Sequence, residues 1–210
     1  MGENRVKEIL KIFEKLYPDA KTALKYDTHF QLLVATMLAA QSTDKQVNKV
    51  TSRLFKKYSG PEDFARLNPE DLEKEIRGCG LYRNKSKNII EASRVIIDKY
   101  KGEVPRNLND LMSLPGVGRK TANVVLSNAF NMPAFAVDTH VFRVSNRIGL
   151  AHGKNVLETE YQLMENIPEE LWGKTHHWLI YHGRQVCRAR NPKCQKCALI
   201  HLCENPQDCT

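Results

Sequence analysis

Residues 114–130 read L-P-G-V-G-R-K-T-A-N-V-V-L-S-N-A-F, a proline and two glycines set directly before a helical stretch. Pro115 ends the helix before it. Gly116 and Gly118 bracket one apolar residue, Val117, and glycine permits both positive φ and close backbone approach to another molecule. A helix that starts from such a turn aims its first N–H groups outward, which suits a phosphate. Upstream, Asn107 is placed to cap a short amphipathic helix, L-N-D-L-M-S-L over 108–114. Together these predict a helix, a glycine hairpin and a second helix. An ordinary corner between two helices would use the same glycines. Lys120 argues for more, because a cation in the first turn opposes the helix macrodipole and stands there against local preference.

After the hairpin helix, P-A-F-A-V at 133–137 reads as an apolar extended link. Asp138-Thr139-His140 follows and leads into V-F-R-V-S-N-R-I, so Asp138 sits at a helix N-cap position. One helix out and one link back could bring this carboxylate near Lys120, but spacing alone does not establish that. On the N-terminal side, Val6, Ile9, Leu10, Phe13 and Leu16 recur at helical spacing from Glu3 until Pro18. Residues 27–40 form a second helix, capped by Asp27 or Thr28 and apolar nearly all round, as the central helix of a bundle would be. It ends at Gln41-Ser42-Thr43-Asp44, where Thr43 or Asp44 caps the next helix. Asn68-Pro69-Glu70-Asp71 is a helix start, with a stop at Gly78-Cys79-Gly80. A long helix runs from about Arg83 to Tyr100, closed by Lys101-Gly102. No stretch alternates as a strand. About ten helices joined by short connections make the predicted fold class all-α.

At 210 residues the chain holds one large domain or two small ones. Lys and Arg number 32 against 24 Asp and Glu, a formal charge of +8 that favours a polyanionic partner. The longest apolar run, L-L-V-A-T-M-L-A-A, is too short for a membrane span, and nothing resembling a signal segment precedes it. A soluble intracellular protein is expected. No H-E-x-x-H, G-x-S-x-G or Walker A pattern occurs.

Cys187, Cys194, Cys197 and Cys203 are spaced C-x6-C-x2-C-x5-C, with few apolar residues around them. Disulfides are improbable inside a cell, so a four-thiolate metal site is the reading, either a [4Fe–4S] cluster or structural zinc. Zinc ribbons usually carry two C-x2-C knuckles, and this stretch has one. Cys79 and Cys209 fall outside the pattern. Arg184, Arg188, Arg190 and Lys193 crowd the segment around the first two cysteines, either as a phosphate-binding loop or as solvated charge. His176-His177-Trp178 lies in a helix, where core roles are the default.

The combination L-P-G-V-G-R-K-T-A, then V-D-T-H, then the four cysteines resembles the endonuclease III family of helix–hairpin–helix DNA glycosylases. The likeness extends to Gln41-Ser42-Thr43-Asp44 and to Gly80-Leu81-Tyr82, and so covers essentially the whole chain. It implies two helical domains. One is a six-helix domain over residues 22–132, ending in the hairpin at about 107–130. The other joins residues 1–21 to 133–210 and holds a [4Fe–4S] cluster on Cys187, Cys194, Cys197 and Cys203. The DNA cleft lies between them.

The resemblance further implies a bifunctional enzyme of base excision repair that removes oxidised pyrimidines and cleaves at the abasic site. Its partner is double-stranded DNA carrying damaged pyrimidines or abasic sites. The implied nucleophile is Lys120, a lysine Schiff base being the covalent intermediate, with Asp138 handling a proton or the sugar's positive charge. Gly116 and Gly118 present N–H groups to a phosphate, and His140, Arg190 and Lys193 also contact DNA. Gln41 and Leu81 form the wedge that fills the gap left by a flipped nucleotide. Cys79 departs from the bulky aliphatic residue expected in that loop. A monomer in the prokaryotic cytoplasm, at the nucleoid, is expected.

Two rivals share parts of this pattern. The adenine-removing relative lacks the lysine and uses a carboxylate in the helix before Gln41, but residues 29–43 contain no Asp or Glu. A non-catalytic hairpin module with zinc would need no Lys–Asp pair.

Overall fold

Where the sequence places a capping residue before an apolar repeat, a helix begins. The computed structural model describes residues 2–206, and among these it holds no strand. The helices are α1 (Glu3–Leu16), α2 (His29–Ala39), α3 (Asp44–Lys57), α4 (Pro61–Ala65), α5 (Pro69–Ile76), α6 (Tyr82–Tyr100), α7 (Leu108–Ser113), α8 (Arg119–Ala129), α9 (Thr139–Ile148), α10 (Val156–Asn166) and α11 (Trp172–Gln185), with three short 3-10 turns. Thr28, Thr43, Asn107, Asp138 and Asn155 each accept a first-turn N–H with the side chain. Asn68 occupies the cap position of α5 without that bond. Pro69 at the first helical position fixes φ there instead. The long helix α6 stops where Lys101 and Gly102 turn to positive φ (56° and 83°), and the Gly102 N–H closes back onto the Ile96 carbonyl at 3.0 Å.

The chain divides into two compact units. One is Ala23–Met132, with α2 to α8. It carries seven helices rather than six, because Gly60-Pro61 and the Asp63 carboxylate close one additional short turn, α4. Helix α2 is buried from Phe30 to Leu38 and is packed against by α3, α6 and α8. Phe64 of α4 is fully buried, edge-on to Phe30 (5.4 Å) and to Tyr58 (5.7 Å). Tyr26 donates to the Asn128 carbonyl at 2.9 Å, tying the unit's first residues to its last helix.

The other unit joins the chain up to Thr22 to the part from Pro133 onward. Its core gathers Phe13 and Tyr17 against Trp178, Leu179, Val144 and Leu163. Phe13 is fully buried, stacked at 6.3 Å on Trp178, whose indole N–H donates to the Tyr17 carbonyl at 3.1 Å. Arg5 of α1 reaches across the chain's length. It donates to the carbonyls of Leu202 (3.0 and 2.8 Å), Gly149 (3.2 Å) and Ile148, and pairs with Glu204 at 3.0 Å. The first helix is thus sewn to residues 199–204 by apolar contact and by one guanidinium.

Removing the Phe13 ring leaves a void that its rigid aromatic neighbours cannot fill. Phe13→Ala is expected to cost about 3–5 kcal/mol, the usual toll for a buried aromatic. Urea unfolding read by tryptophan fluorescence would report it.

Candidate functional site

The hairpin forms from α7, a turn over 114–118 and α8. The Asn107 carboxamide accepts the Asp110 N–H at 2.9 Å and starts α7. The Leu114 N–H then bonds the Leu111 carbonyl, and the Val117 N–H bonds that of Leu114 at 3.1 Å. Leu114 and Val117 are buried, so the turn is pinned by its two apolar residues while its glycines lie exposed. The two glycines differ. Gly116 has φ +76°, and a Cβ there would come within 2.8 Å of the Asn88 side chain, so the fold itself requires glycine. Gly118 is the N-cap of α8 at φ −89°, ψ 171°, with nothing within 4 Å of a built Cβ. Nothing inside the chain demands glycine at 118. Lys120, in the first turn of α8, is exposed.

Asp138 is the N-cap of α9, and its Oδ1 accepts the N–H groups of both His140 and Val141 at 2.8 Å. His140 is half-buried, 3.3 Å from an Arg143 nitrogen at Nδ1. Burial lowers its pKa, against an upward pull from Asp138. Lys120 belongs to the unit Ala23–Met132 and Asp138 to the other.

Gln41 and Leu81 are both non-glycine residues in the left-handed region, at φ 54° and 57°, and both are exposed. Their loops are joined. The Gly80 N–H donates to the Ser42 hydroxyl at 3.0 Å, and a Cβ on Gly80 would lie 2.9 Å from the Gln41 carbonyl oxygen. Cys79, next to Gly80 in the chain, is buried, and burial pushes its thiol pKa up.

Cys187, Cys194, Cys197 and Cys203 line one hollow of about 330 Å³, counted out to solvent, together with Ile148 and His182. Burial raises the Cys197 thiol, and the other three cysteines raise it further. The His182 Nε2 lies 3.4 Å from the Cys197 sulfur, and Tyr17 bonds the far side of that ring at 3.0 Å. Burial pushes the His182 pKa down to about 4. Among the described residues, no three His, Cys, Asp or Glu stand where they could hold a single metal ion. Cys209 lies outside the described residues. In the loop after Cys187, the Lys193 N–H returns to the Val186 carbonyl at 3.0 Å, and Arg190 and Lys193 are exposed.

Sequence reasoning passed over three cations. Arg143 donates to the carbonyls of Cys187 (3.0 Å) and Gly183 (3.1 Å), and Arg147 to those of Arg188 (2.7 Å) and Ala189 (3.2 Å). The two arginines brace the cysteine loop from α9. Lys85 is buried in α6. Nothing local distinguishes these residues from solvated charge. His176, by contrast, takes the core place expected of it, 2.6 Å from the Ala136 carbonyl.

The glycine contrast is open to measurement. Gly116→Ala should destabilise the protein by about 1–3 kcal/mol, through positive φ and the Asn88 contact. Gly118→Ser should instead stabilise it by roughly 0.5 kcal/mol, because serine caps better and restricts the unfolded chain. Thermal unfolding of the two variants checks both signs.

Residues 34–169 match the family described as HhH-GPD superfamily base excision DNA repair protein. Endonuclease III of Bacillus subtilis (strain 168) is 51% identical over 193 residues, covering 91% of this chain and 88% of the relative. Two solved structures superpose with TM-scores of 0.93 at 50% identity, each covering 98% of this chain and 97% of its own. They are a non-covalent endonuclease III–DNA complex and a trapped endonuclease III–DNA covalent intermediate. No helix among the described residues is long and apolar enough to cross a membrane. The chain belongs to the endonuclease III family, within the HhH-GPD superfamily of base excision DNA repair proteins.

Proposed function

We propose that this chain is a bifunctional DNA glycosylase and abasic-site lyase that removes oxidised pyrimidines from duplex DNA and cleaves the strand 3′ to the abasic site. The observation that carries the reading is its likeness to an endonuclease III trapped covalently on DNA. A covalent adduct needs a nucleophile, and Lys120 offers an exposed primary amine at the start of the hairpin's second helix.

A pyrimidine saturated at its 5,6 bond stacks poorly, so rotating it out of the duplex costs less. The neutral Lys120 amine attacks the deoxyribose C1′. The glycosidic bond breaks, and the base leaves with the bonding pair and takes up a proton. The sugar opens to an imine between Nζ and C1′. Loss of a C2′ proton then drives the C3′–O bond to break, releasing the 3′ phosphate, and water hydrolyses the imine. Asp138 takes the lysine proton or stabilises positive charge growing on the sugar. Its Oδ1 already holds two helix N–H groups, so Oδ2 is the oxygen assigned to the chemistry.

The hairpin amides around Gly116 and Gly118 receive a phosphate. The open space at Gly118 supports this, since a residue that the fold leaves free to carry a side chain has none. Arg190, Lys193 and His140 add backbone contacts, and Gln41 and Leu81 enter the duplex as the wedge.

A [4Fe–4S] cluster fits Cys187, Cys194, Cys197 and Cys203. The four thiols line one hollow, and their single C-x2-C pair is unlike the two knuckles of a zinc ribbon. When bound, the cluster cross-links residues 187–203 and fixes the basic loop.

Lys120→Gln should abolish borohydride trapping and strand cleavage on a duplex with one oxidised pyrimidine, while affinity for that duplex persists. Asp138→Asn keeps both N-cap bonds, so its unfolding midpoint should hold while turnover falls by roughly 10²–10⁴-fold. Full activity in Asp138→Asn would reduce that residue to a cap. Efficient trapping by Lys120→Gln would remove the lysine from the mechanism.

Purified protein should be brown and carry about four irons. Cys194→Ser or Cys197→Ser should lose the visible absorbance and weaken binding to undamaged duplex. A colourless, fully active protein with one zinc would contradict the cluster.

A further inference from the structure

Lys85 lies in R-N-K-S-K, a basic run on the first turns of α6 that reads as solvated surface. Its side chain turns inward, and the residue is only 7% exposed. The ammonium donates to the carbonyls of Leu38 (2.8 Å) and Ala40 (2.5 Å), and lies 3.4 Å from the Ser42 hydroxyl. Three N–H bonds meet three acceptors, so the buried cation is fully satisfied. Leu38 and Ala40 lie at the C-terminus of α2, whose last carbonyls have no partners within the helix and whose dipole favours a cation.

Ser42 links this cluster to the neighbouring loop. Its oxygen also accepts the Gly80 N–H. Gly80 sits against the Gln41 carbonyl with no room for a Cβ. On either side of this junction stand Gln41 and Leu81, each left-handed at φ 54° and 57°, a conformation unfavourable for a residue with a side chain. Leu81 is 54% exposed, so little of its side chain is held by burial. Such backbone strain persists only where the surroundings over-determine it.

We propose that Lys85 is a positioning residue for base extrusion: its ammonium, on the two α2 carbonyls and Ser42, clasps the 39–42 and 79–81 loops into one rigid two-pronged element that holds Gln41 and Leu81 ready to enter the duplex. This rests on the wedge reading of those two residues. The clasp works before chemistry. Extruding a stacked base requires both prongs to be in place, whereas an abasic site offers no base to unstack. Loss of the clasp therefore penalises base release more than cleavage at an abasic site already formed.

The test is Lys85→Met, which keeps much of the side chain's length and removes all three donors. Amide exchange at Gly80 in the full holoprotein should speed up by about ten-fold or more, as local opening becomes easier. Single-turnover base release from an oxidised-pyrimidine duplex should fall about ten-fold further than cleavage at a preformed abasic site, and Lys85→Arg should recover part of the difference. If Lys85→Met fails to fold, Ser42→Ala decides, because it cuts the link to Gly80 while sparing both carbonyl contacts. Unchanged Gly80 exchange in the folded variant overturns the clasp, and so does an equal loss of both activities. Leu81→Ala separates the two ideas: base release unaffected there, with Gly80 exchange still fast in Lys85→Met, would leave the clasp standing and remove the wedge.

Discussion

Helix α2 is buried from Phe30 to Leu38, and this burial constrains everything in its unit. The Leu38 carbonyl, at the buried end of the helix, is shut off from water and lies past the last intrahelical donor. A donor must come to it from elsewhere in the chain. Lys85 is that donor, delivered by α6, and delivering it brings the start of α6 up against the end of α2. The two exposed left-handed residues, Gln41 and Leu81, follow from this meeting. An apolar requirement deep in the unit thus shapes a polar tip at its surface.

The second unit solves a related problem with guanidinium groups. Residues 187–206 contain little regular helix, and their backbone carbonyls need donors. Arg5, Arg143 and Arg147 supply them. These three cations, like Lys85, are engaged internally on carbonyls, and the charge excess overstates the number free to meet a phosphate. Arg190 and Lys193, exposed on the braced loop, remain available for that role.

The hairpin shows how the requirements of folding and of function can be read apart. Gly116 answers to the fold, since its φ and Asn88 both exclude a side chain. Gly118 answers to nothing inside the chain. A residue without an internal reason for its identity points outward, to whatever approaches the start of α8. Asp138 is more economical, because one oxygen caps the helix and the other is left for the proposed chemistry.

Much of this was legible in the sequence. Apolar spacing and capping residues located nearly every helix, since both act within a few residues along the chain. The five-residue α4 was missed because one turn shows no period, and α10 went unplaced although Asn155 caps it. Cysteine spacing marked the loop whose four thiols line one hollow, and L-P-G-V-G-R-K marked the hairpin, through local backbone rules that proline and glycine enforce. The tertiary structure alone decided the fate of the long cations. Lys85 in R-N-K-S-K and Lys120 in G-R-K look alike as sequence, yet one is buried on the carbonyls of a helix 45 residues away and the other is exposed. A lysine side chain has the reach for either outcome. Which it takes depends on whether packing brings unsatisfied acceptors within that reach, and packing is a property of residues distant in sequence.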